Sequence, residues 1–291
     1  MYGSIEAGGT KIICAVSDNK LNIIDRLNIA TKDPNYNMEQ MINFFDKYKE
    51  DLKAIGIGSF GPVDIDPKSD SYGHILNTPK KEWENFDLVS PIKKELDVEV
   101  YLTTDVNASA YGELKIGAGR GKNSLAYYTF GTGVGGGIIQ NENFIGGVSH
   151  LELGHMIVKK HKDDDYKGYC YAHGDCLEGL ACGPSISDRF KINGQEIDEN
   201  DSFWDIEAYY IAQCVYNTVL SYYPEIIVLG GGVIQKEGLL DKVKKHFKDL
   251  MNNYIDIGDI DKYIVKPQRD GESATIGCLM LAQEHYRKKV R

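Results

Sequence analysis

The chain has 291 residues, 42% of them apolar and 26% charged, and its 33 Lys and Arg against 43 Asp and Glu give a formal charge of -10. This length suits one large hydrophobic core or two smaller ones, and the ordinary balance of dispersed charges, 8 Pro and 31 Gly excludes a collagen, a coiled coil and a disordered chain. The acidic excess argues against nucleic acid as a partner, because Lys and Arg hold phosphate backbones.

Membrane insertion and export are also disfavoured. Residues 123–141 carry no charge, but five glycines interrupt this run, so it fails as a membrane helix. The first residues lack the basic and apolar regions of a signal peptide. Without an export signal, the six cysteines indicate thiols or metal ligands rather than disulfides. We therefore expect a cytoplasmic protein with no membrane partner.

The first 118 residues predict a β-hairpin followed by alternating strands and helices. The predicted strands cover residues 3–6, 11–16, 23–27, 54–58 and 98–102. One predicted helix carries Met38, Met41, Ile42 and Phe45 on one face. Two further helices are predicted at residues 88–96 and 108–116. Such alternation is typical of an α/β sheet.

The same pattern restarts after a glycine-rich stretch near residues 117–121. A strand at 125–130, a glycine turn at 131–137 and a return strand from 138 repeat the opening hairpin. A loop at 159–176, a helix at 203–223, a strand at 226–229, a helix at 239–251 and a helix from about 272 to 286 complete the prediction. We expect a duplicated α/β fold with two lobes facing a central cleft. The smaller lobe covers 1–118, with the last helix, about 272–288, packed on it, and the larger covers 119–271.

Two glycine-rich hairpins are candidates for phosphate binding. The pattern G-x-G-x-x-G occurs at 56–61 and 131–136, but neither copy opens a helix, and the P-loop pattern is absent, so a Rossmann dehydrogenase and a P-loop kinase both lose support. The sequences E-A-G-G-T-K at 6–11 and F-G-T-G-V-G-G-G at 130–137 remain. Glycine lets main-chain N–H groups approach phosphate oxygens, and Thr10 and Thr132 add hydroxyl donors. Each hairpin alone is equally typical of a tight turn without a ligand, but two at matching places favour phosphate.

A spaced set of Cys and His residues predicts a zinc site. The two-residue gaps in Cys170-x-x-His173-x-x-Cys176 let successive ligands turn onto one ion, and Cys with His selects tetrahedral zinc. The nearby choices for a fourth ligand are His150, His155 and His161. The alternative is a polar loop with free thiols and a surface His. Four protein ligands would make the zinc structural.

Asp105 is the candidate general base. It follows a predicted strand and precedes a predicted helix, at the edge where α/β folds place ligands. Phosphoryl transfer needs a group that accepts the proton of the attacking hydroxyl. The alternative is a helix cap, a role that either Asp105 or Asn107 could fill.

The chain resembles sugar kinases of the ROK family, in the hexokinase and actin-like superfamily, and closely their bacterial fructokinase branch. The resemblance covers nearly the whole length. It rests on E-A-G-G-T-K-I at 6–12, G-P-V-D at 61–64, N-T-P-K at 77–80 with Trp83 following, T-D-V-N-A-S-A at 104–110, F-G-T-G-V-G-G-G-I-I at 130–139, H-L-E-L-G-H-M at 150–156, C-L-E-G-L-A-C-G-P at 176–184 and V-L-G-G-G-V at 228–233. It implies a duplicated ribonuclease H-like fold and a homodimer.

The resemblance also implies roles for particular residues. The residues implied to bind ATP are Gly8, Gly9, Thr10, Lys11, Gly131, Thr132, Gly133, Pro184, Gly230, Gly231 and Gly232, the last three at the adenosine. The residues implied to bind sugar are Thr104, Asp105, Glu152, His155 and Glu178. Among the three histidines, the resemblance favours His155 as the fourth zinc ligand. Glu6 stands where many members carry Asp near Mg²⁺, and Thr104 stands where many carry Asn.

The expected activity is ATP-dependent phosphorylation of a hexose, with Mg²⁺ bridging the phosphates and D-fructose giving fructose 6-phosphate. Glucose, mannose and N-acetylmannosamine stay open as substrates. A ROK sugar-sensing repressor is an alternative from another class, but such repressors begin with a DNA-binding helix-turn-helix, and here the phosphate hairpin begins at residue 3. A zinc-containing dehydrogenase is a third alternative, weakened by the failed dinucleotide motifs.

Overall fold

A computed structural model describes residues 1–269 and 271–290, and the chain in it divides into two compact units. Unit 1 contains Met1–Lys115, Gly146–His150 and the described residues from Gly271 onward. Unit 2 contains Ile116–Ile145 and the described residues from Leu151 to 269. Nothing in the sequence pattern indicates that Gly146–His150 groups with unit 1.

Unit 1 is built on a five-stranded sheet with the order β3-β2-β1-β4-β5. Its strands are β1 (Tyr2–Ala7), β2 (Lys11–Ser17), β3 (Ile23–Ala30), β4 (Ala54–Ser59) and β5 (Glu99–Thr104). The pairs β1/β2 and β2/β3 are antiparallel, whereas β1/β4 and β4/β5 are parallel. The predicted opening hairpin is therefore confirmed.

Unit 2 repeats this topology with the order β10-β9-β6-β7-β8. Its strands are β6 (Ser124–Phe130), β7 (Val134–Gln140), β8 (Asn143–Phe144), β9 (Ile227–Gly230) and β10 (Ile264–Val265). The pairs β6/β7 and β7/β8 are antiparallel, and β6/β9 and β9/β10 are parallel. Each strand of unit 2 thus has a counterpart in unit 1, which confirms the predicted duplication.

Helices cover both sheets and include the predicted amphipathic ones. The helices in the described ranges are α1 (Pro34–Asp46), α2 (Ser90–Leu96), α3 (Asp105–Ile116), α4 (Leu177–Ala181), α5 (Gly183–Phe190), α6 (Phe203–Tyr222), α7 (Leu239–Met251), α8 (Ile260–Tyr263) and α9 (Ser273–Lys289). Helix α9 packs on β1 and β4. In α7 the residues buried at four-residue spacing are Leu239, Val243, Phe247 and Met251. Full burial of such a side chain contributes about 1.5–3 kcal/mol, which explains why this stripe faces the core.

The predicted glycine turn at 131–137 is wrong in its second half. Strand β7 begins at Val134, so Gly135, Gly136 and Gly137 lie in the sheet. Gly136 pairs with Tyr128 across the sheet, and a Cβ on Gly136 would lie 2.6 Å from the Tyr128 ring. Gly136 therefore makes room for the Tyr128 ring, and only Gly131–Gly133 remain in the turn.

Each unit has its own hydrophobic core. The core of unit 1 includes Ile5, Phe45 and Trp83, and that of unit 2 includes Tyr128 and Phe247. All six cysteines are buried and unpaired. Across the described residues, no helix combines the length and the apolar character needed to cross a lipid bilayer.

Candidate active site

The first glycine turn is closed and braced by hydrogen bonds within unit 1. Gly8 N–H donates to the carbonyl oxygen of Lys11 at 3.0 Å. Thr31 N–H donates to Thr10 O at 3.0 Å, and the Thr31 hydroxyl donates to Gly8 O at 2.7 Å. The turn that contains Gly8, Gly9, Thr10 and Lys11 therefore has a defined shape, and Thr10 and Lys11 are exposed.

The two acidic candidates of unit 1 lie at one edge of its sheet. Glu6 pairs with Gly58 of β4, and Gly58 pairs with Thr103 of β5. Asp105 follows Thr103 by two residues and begins α3. Glu6 and Asp105 thus lie at the carboxyl ends of parallel strands, which is where α/β folds bind ligands.

Helix α3 begins three residues earlier than predicted, and Thr104 caps it. The Thr104 hydroxyl oxygen accepts from Asn107 N–H at 3.1 Å, which is the bond of an N-cap. Asp105 Oδ1 accepts from Val106 N–H at 2.9 Å. The capping alternative for Asp105 or Asn107 is therefore wrong. Thr104 is 3% exposed, and a contact between its hydroxyl and a sugar stays a prediction.

The second glycine turn is braced by a carboxylate. Gly131 N–H donates to Gly133 O at 2.9 Å, with Thr132 exposed between them. Val134 N–H donates to Glu178 Oε2 at 3.0 Å, and a Cβ on Gly133 would lie 2.7 Å from the same oxygen. One oxygen of Glu178 therefore holds the predicted phosphate turn, and a contact with sugar would fall to the other oxygen.

The beginning of α5 and the third glycine turn adjoin this second turn within unit 2. Gly183 N–H donates to Gly131 O at 2.7 Å, which brings Pro184 close to the turn. Gly230 ends β9 and pairs with Thr129 of β6.

The third turn requires glycine at its centre. Gly231 has φ +90°, and a Cβ there would collide with the backbone of Phe130. Val233 N–H donates to Phe130 O at 2.9 Å, which holds Gly230, Gly231 and Gly232 against the end of β6. Residues from three separate parts of the sequence thus form one surface of unit 2.

The predicted metal ligands form one cluster in unit 2. His155, Cys170, His173 and Cys176 each offer one ligand atom, and these atoms all lie within 4.8 Å of one another. His155 Nδ1 lies 3.6 Å from Cys170 Sγ and 3.5 Å from Cys176 Sγ, and His173 Nδ1 lies 3.8 Å from Cys170 Sγ. Tetrahedral zinc, with bonds of about 2.3 Å to S and 2.0 Å to N, places S and N about 3.6 Å apart. The cluster fits zinc, and the structure groups it with His155 rather than with His150 or His161.

The backbone around the cluster is a tight knuckle. Cys170 N–H donates to Gly174 O at 3.1 Å, and Gly174 N–H donates back to Cys170 O at 2.9 Å. Leu177 N–H donates to Met156 O at 2.9 Å, which ties the start of α4 to the segment that carries His155. Burial raises the pKa of the Cys176 thiol to about 12, so a cation is the natural stabiliser of its thiolate form.

Glu152 lies on the same short turn as His155. His155 N–H donates to Glu152 O at 3.1 Å, and the Glu152 side chain is exposed. Glu152 therefore lies on the turn that carries His155, and a contact between its carboxylate and a sugar stays a prediction.

Two contacts in unit 1 were missed by sequence reasoning. Val63 N–H, in the G-P-V-D segment, donates to His150 Nε2 at 3.3 Å. Thr275 Oγ1 of α9 donates to Glu6 Oε2 at 2.9 Å. The partners are 87 and 269 residues apart in sequence, so no local pattern could have indicated either contact.

Comparisons with known proteins find similar sequences and structures over nearly the whole chain. A family model described as ROK family matches residues 2–285. A protein named fructokinase from Streptococcus mutans serotype c is 46% identical over 98% of this chain and 98% of its own length. Another fructokinase, from Lactococcus lactis subsp. cremoris, is 46% identical over 99% of each chain. A crystal structure of a ROK hexokinase from Thermus thermophilus superimposes with a TM-score of 0.79, at 22% identity and 99% coverage of both chains, and shares the fold.

Proposed function

Because the chain belongs to the ROK family, we propose that it transfers the γ-phosphoryl group of ATP to the 6-hydroxyl group of D-fructose. The products are fructose 6-phosphate and ADP. The observation that carries the proposal is the full-length similarity to two proteins named fructokinase. The duplicated sheet topology and the glycine turns at matching places support the same activity.

Asp105 is the proposed general base. Its carboxylate accepts the proton of the sugar hydroxyl while that oxygen bonds to the γ-phosphorus and the bond between phosphorus and the ADP oxygen breaks. The position of Asp105 at the carboxyl edge of the unit 1 sheet supports this role. So does the use of Thr104 to cap α3, because the Asp105 carboxylate is not needed to begin the helix.

The nucleotide is the proposed ligand of the glycine turns. In the two turns that contain Gly8 and Gly131, whose own N–H groups close the turns, the main-chain N–H groups of Gly9 and Gly133 would donate to phosphate oxygens, with Thr10, Lys11 and Thr132 beside them. Gly230, Gly231 and Gly232, together with Pro184, would hold the adenosine. Mg²⁺ supplies charge neutralisation when it is bound to the phosphates. Glu6 is the residue proposed to hold its hydrated form.

The metal cluster is proposed as a structural zinc site that also orients a sugar ligand. All four of its ligands come from the protein, which leaves no open position for hydrolytic chemistry. Because His155 Nδ1 faces the two sulfurs, Nε2 is the nitrogen that would donate to a sugar hydroxyl. Glu152, Glu178 and Thr104 are the other proposed sugar contacts.

A homodimer in the cytoplasm is the proposed working form. The unpaired state of all six cysteines agrees with a reducing compartment. The side chains of Ile157, Tyr169 and Tyr171 are exposed around the metal cluster, which supports a covering partner there. A mass determined by light scattering would distinguish one chain from two.

The test is a coupled assay of ADP release with fructose, glucose, mannose and N-acetylmannosamine in parallel. We expect the highest kcat/KM with fructose. The Asp105→Asn variant, purified in the same way, corrects for contaminating kinases. Turnover of none of the sugars, or a higher kcat/KM with another sugar, would overturn the substrate assignment.

A further inference from the structure

A partly buried hydrogen bond joins the C-terminal helix to Glu6, the residue proposed to hold hydrated Mg²⁺. Thr275 Oγ1 donates to Glu6 Oε2 at 2.9 Å. Thr275 is 1% exposed, so bulk water does not compete for its hydroxyl. Hydrogen bonds to a carboxylate are about twice as strong as neutral ones. This bond therefore fixes the orientation of the Glu6 side chain.

The backbone of α9 packs closely against the sheet and α3. A Cβ on Gly277 of α9 would collide with the carbonyl group of Ala108 in α3, and a Cβ on Gly56 of β4 would collide with the carbonyl group of Cys278. Ser273 Oγ donates to the buried Glu113 at 2.6 Å. Thr275 lies between these close approaches, so its hydroxyl is held in place relative to β1.

The same face of α9 also adjoins the proposed general base. A Cβ on Gly58 would lie 3.0 Å from Cys278 Sγ and 3.3 Å from the Cα of Asp105. Burial raises the pKa of the Cys278 thiol, and the negative charges of Glu6 and Asp105 raise it further. The contacts around Gly58 and the bond from Thr275 to Glu6 thus place residues 275–278 of α9 next to Glu6 and to the backbone of Asp105.

The groups around Glu6 shift its pKa in opposite directions. Burial raises the pKa of Glu6, whereas the hydrogen bond from Thr275 and the positive charges of Lys11 and Arg26 lower it. Among these opposing groups, Thr275 is the one that donates to Glu6 Oε2. An ammonium or guanidinium charge at a distance favours ionisation without fixing the direction of the carboxylate.

We propose that Thr275 is a positioning residue for phosphoryl transfer, because its hydroxyl holds the Glu6 carboxylate in the orientation that receives hydrated Mg²⁺ on ATP. The inference rests on the function proposed above and adds α9, whose residues are remote in sequence, to the active site. A purely structural role for the Thr275 hydroxyl would affect stability alone.

The test compares Thr275→Val, which keeps the β-branched shape and loses the hydroxyl, with Thr275→Ser, which keeps the hydroxyl. The main measurement is the affinity for Mn²⁺ in the presence of a non-hydrolysable ATP analogue, followed by electron paramagnetic resonance. We expect Thr275→Val to weaken Mn²⁺ binding about tenfold, the effect of losing a hydrogen bond to a charged group, and Thr275→Ser to stay within about threefold of the parent. The KM for the sugar should not change.

A double-mutant cycle with Glu6→Gln separates positioning from general damage. If Thr275 acts through Glu6, adding Thr275→Val to Glu6→Gln should weaken Mn²⁺ binding no further. Ser17→Ala is the matched control, because it also removes a buried hydroxyl of unit 1, one that donates to Tyr2 O at 3.4 Å. That variant should lower the Tm without changing the Mn²⁺ affinity.

Two results would overturn the inference: a Thr275→Val variant with the parent's Mn²⁺ affinity, or effects of Thr275→Val and Glu6→Gln that add. The failure of the proposed function is a separate result. If the parent phosphorylates none of the sugars but the Mn²⁺ affinities follow the expected pattern, the fructokinase assignment fails and the role of Thr275 stands. A parent that binds no Mn²⁺ with the nucleotide analogue would overturn the role of Thr275.

Discussion

The two units share one strand topology and differ at the carboxyl ends of their parallel strands. In unit 1, β5 is six residues long and leads directly into α3 at Asp105. In unit 2, the equivalent β10 has two residues, and β9 ends in the glycine turn that contains Gly231. Carboxylates can accept a proton, whereas main-chain N–H groups bind anions. The shared topology sets where a site lies, and the residues at the strand ends set its chemistry.

The first two glycine turns differ in the same way. The turn of unit 1 is braced by the neutral side chain of Thr31. The turn of unit 2 is braced by the carboxylate of Glu178. Unit 2 also carries the metal cluster, in a loop for which unit 1 has no counterpart among its described residues. The two sheets therefore share one topology, while the loops at their ends carry different side chains.

The largest expected effect comes from Asp105, the acidic residue that follows β5 of unit 1. Replacing Asp105 with Asn should lower kcat by about 10² or more, because a positioned base contributes on that scale. The fold should be retained, since Thr104 rather than Asp105 caps α3. Steady-state kinetics and a thermal melt check both expectations.

Asp46→Asn is the matched control for that variant. It makes the same chemical change at an exposed position of unit 1, at the end of α1. Its kcat should equal that of the parent. If the kcat of Asp105→Asn were within a few-fold of that of the parent, Asp105 would not be the general base.

The cluster of His155, Cys170, His173 and Cys176 is a clear difference between unit 2 and unit 1. We expect about one zinc per chain, because four ligands make one closed site. Cys176→Ser should weaken zinc binding by more than the 10- to 100-fold typical of losing an outer-shell partner, and should lower the Tm. Elemental analysis after gel filtration measures the metal. Cys14→Ala, which removes a buried thiol of unit 1, should keep the zinc, and equal zinc in both variants would contradict the site.

Substitutions in the third glycine turn test how strongly the stability of unit 2 depends on the backbone conformation there. Gly231→Ala should cost about 2–4 kcal/mol, because φ +90° is unfavourable for alanine and the new Cβ would collide with Phe130. Gly232→Ala is the matched variant, since no atom lies within 4 Å of a Cβ built there. Urea titrations compare the two free energies of unfolding. Equal losses would show that the turn relaxes and that its shape is not fixed.

Local patterns in the sequence predicted elements better than they predicted contacts. Helix α7 has the predicted limits because its apolar residues recur at four-residue spacing and one face is buried. Glycines are ambiguous by comparison, because Gly135–Gly137 match the composition of a turn but lie in β7, where Gly136 leaves space for the Tyr128 ring.

Side-chain pairing over long separations was beyond sequence reasoning. The spacing of Cys170, His173 and Cys176 indicated three ligands, because short gaps act within one loop. The fourth ligand needed the family resemblance, and the structure places His155 with them. The bond between Thr275 and Glu6 depends on how α9 packs against β1, and packing of that kind leaves no periodic signal.

The last prediction concerns the pH dependence of stability and compares two buried glutamates, one in each unit. Glu113 of unit 1 accepts a hydrogen bond from Ser273 at 2.6 Å. Glu207 of unit 2 is also fully buried, and among the described residues neither of its carboxyl oxygens has a hydrogen-bond partner. Burial raises the pKa of Glu207 to about 8, with the charge of Arg189 opposing the shift and that of Asp164 adding to it.

The sign of the resulting pH dependence follows from the pKa of Glu207. Between pH 4.5 and about 8 the folded carboxyl keeps a proton that the unfolded one has released. The free energy of unfolding therefore falls as the pH rises through this range. Glu207→Gln should therefore unfold at a higher temperature than the parent near pH 8.5, and the difference in Tm should shrink steadily towards pH 5. Calorimetry from pH 5 to 9 measures it, with the exposed Glu199→Gln as the control. A difference in Tm that did not change with pH would mean that Glu207 is ionised or partnered in the folded chain, and that the buried carboxyls of the two units are equivalent.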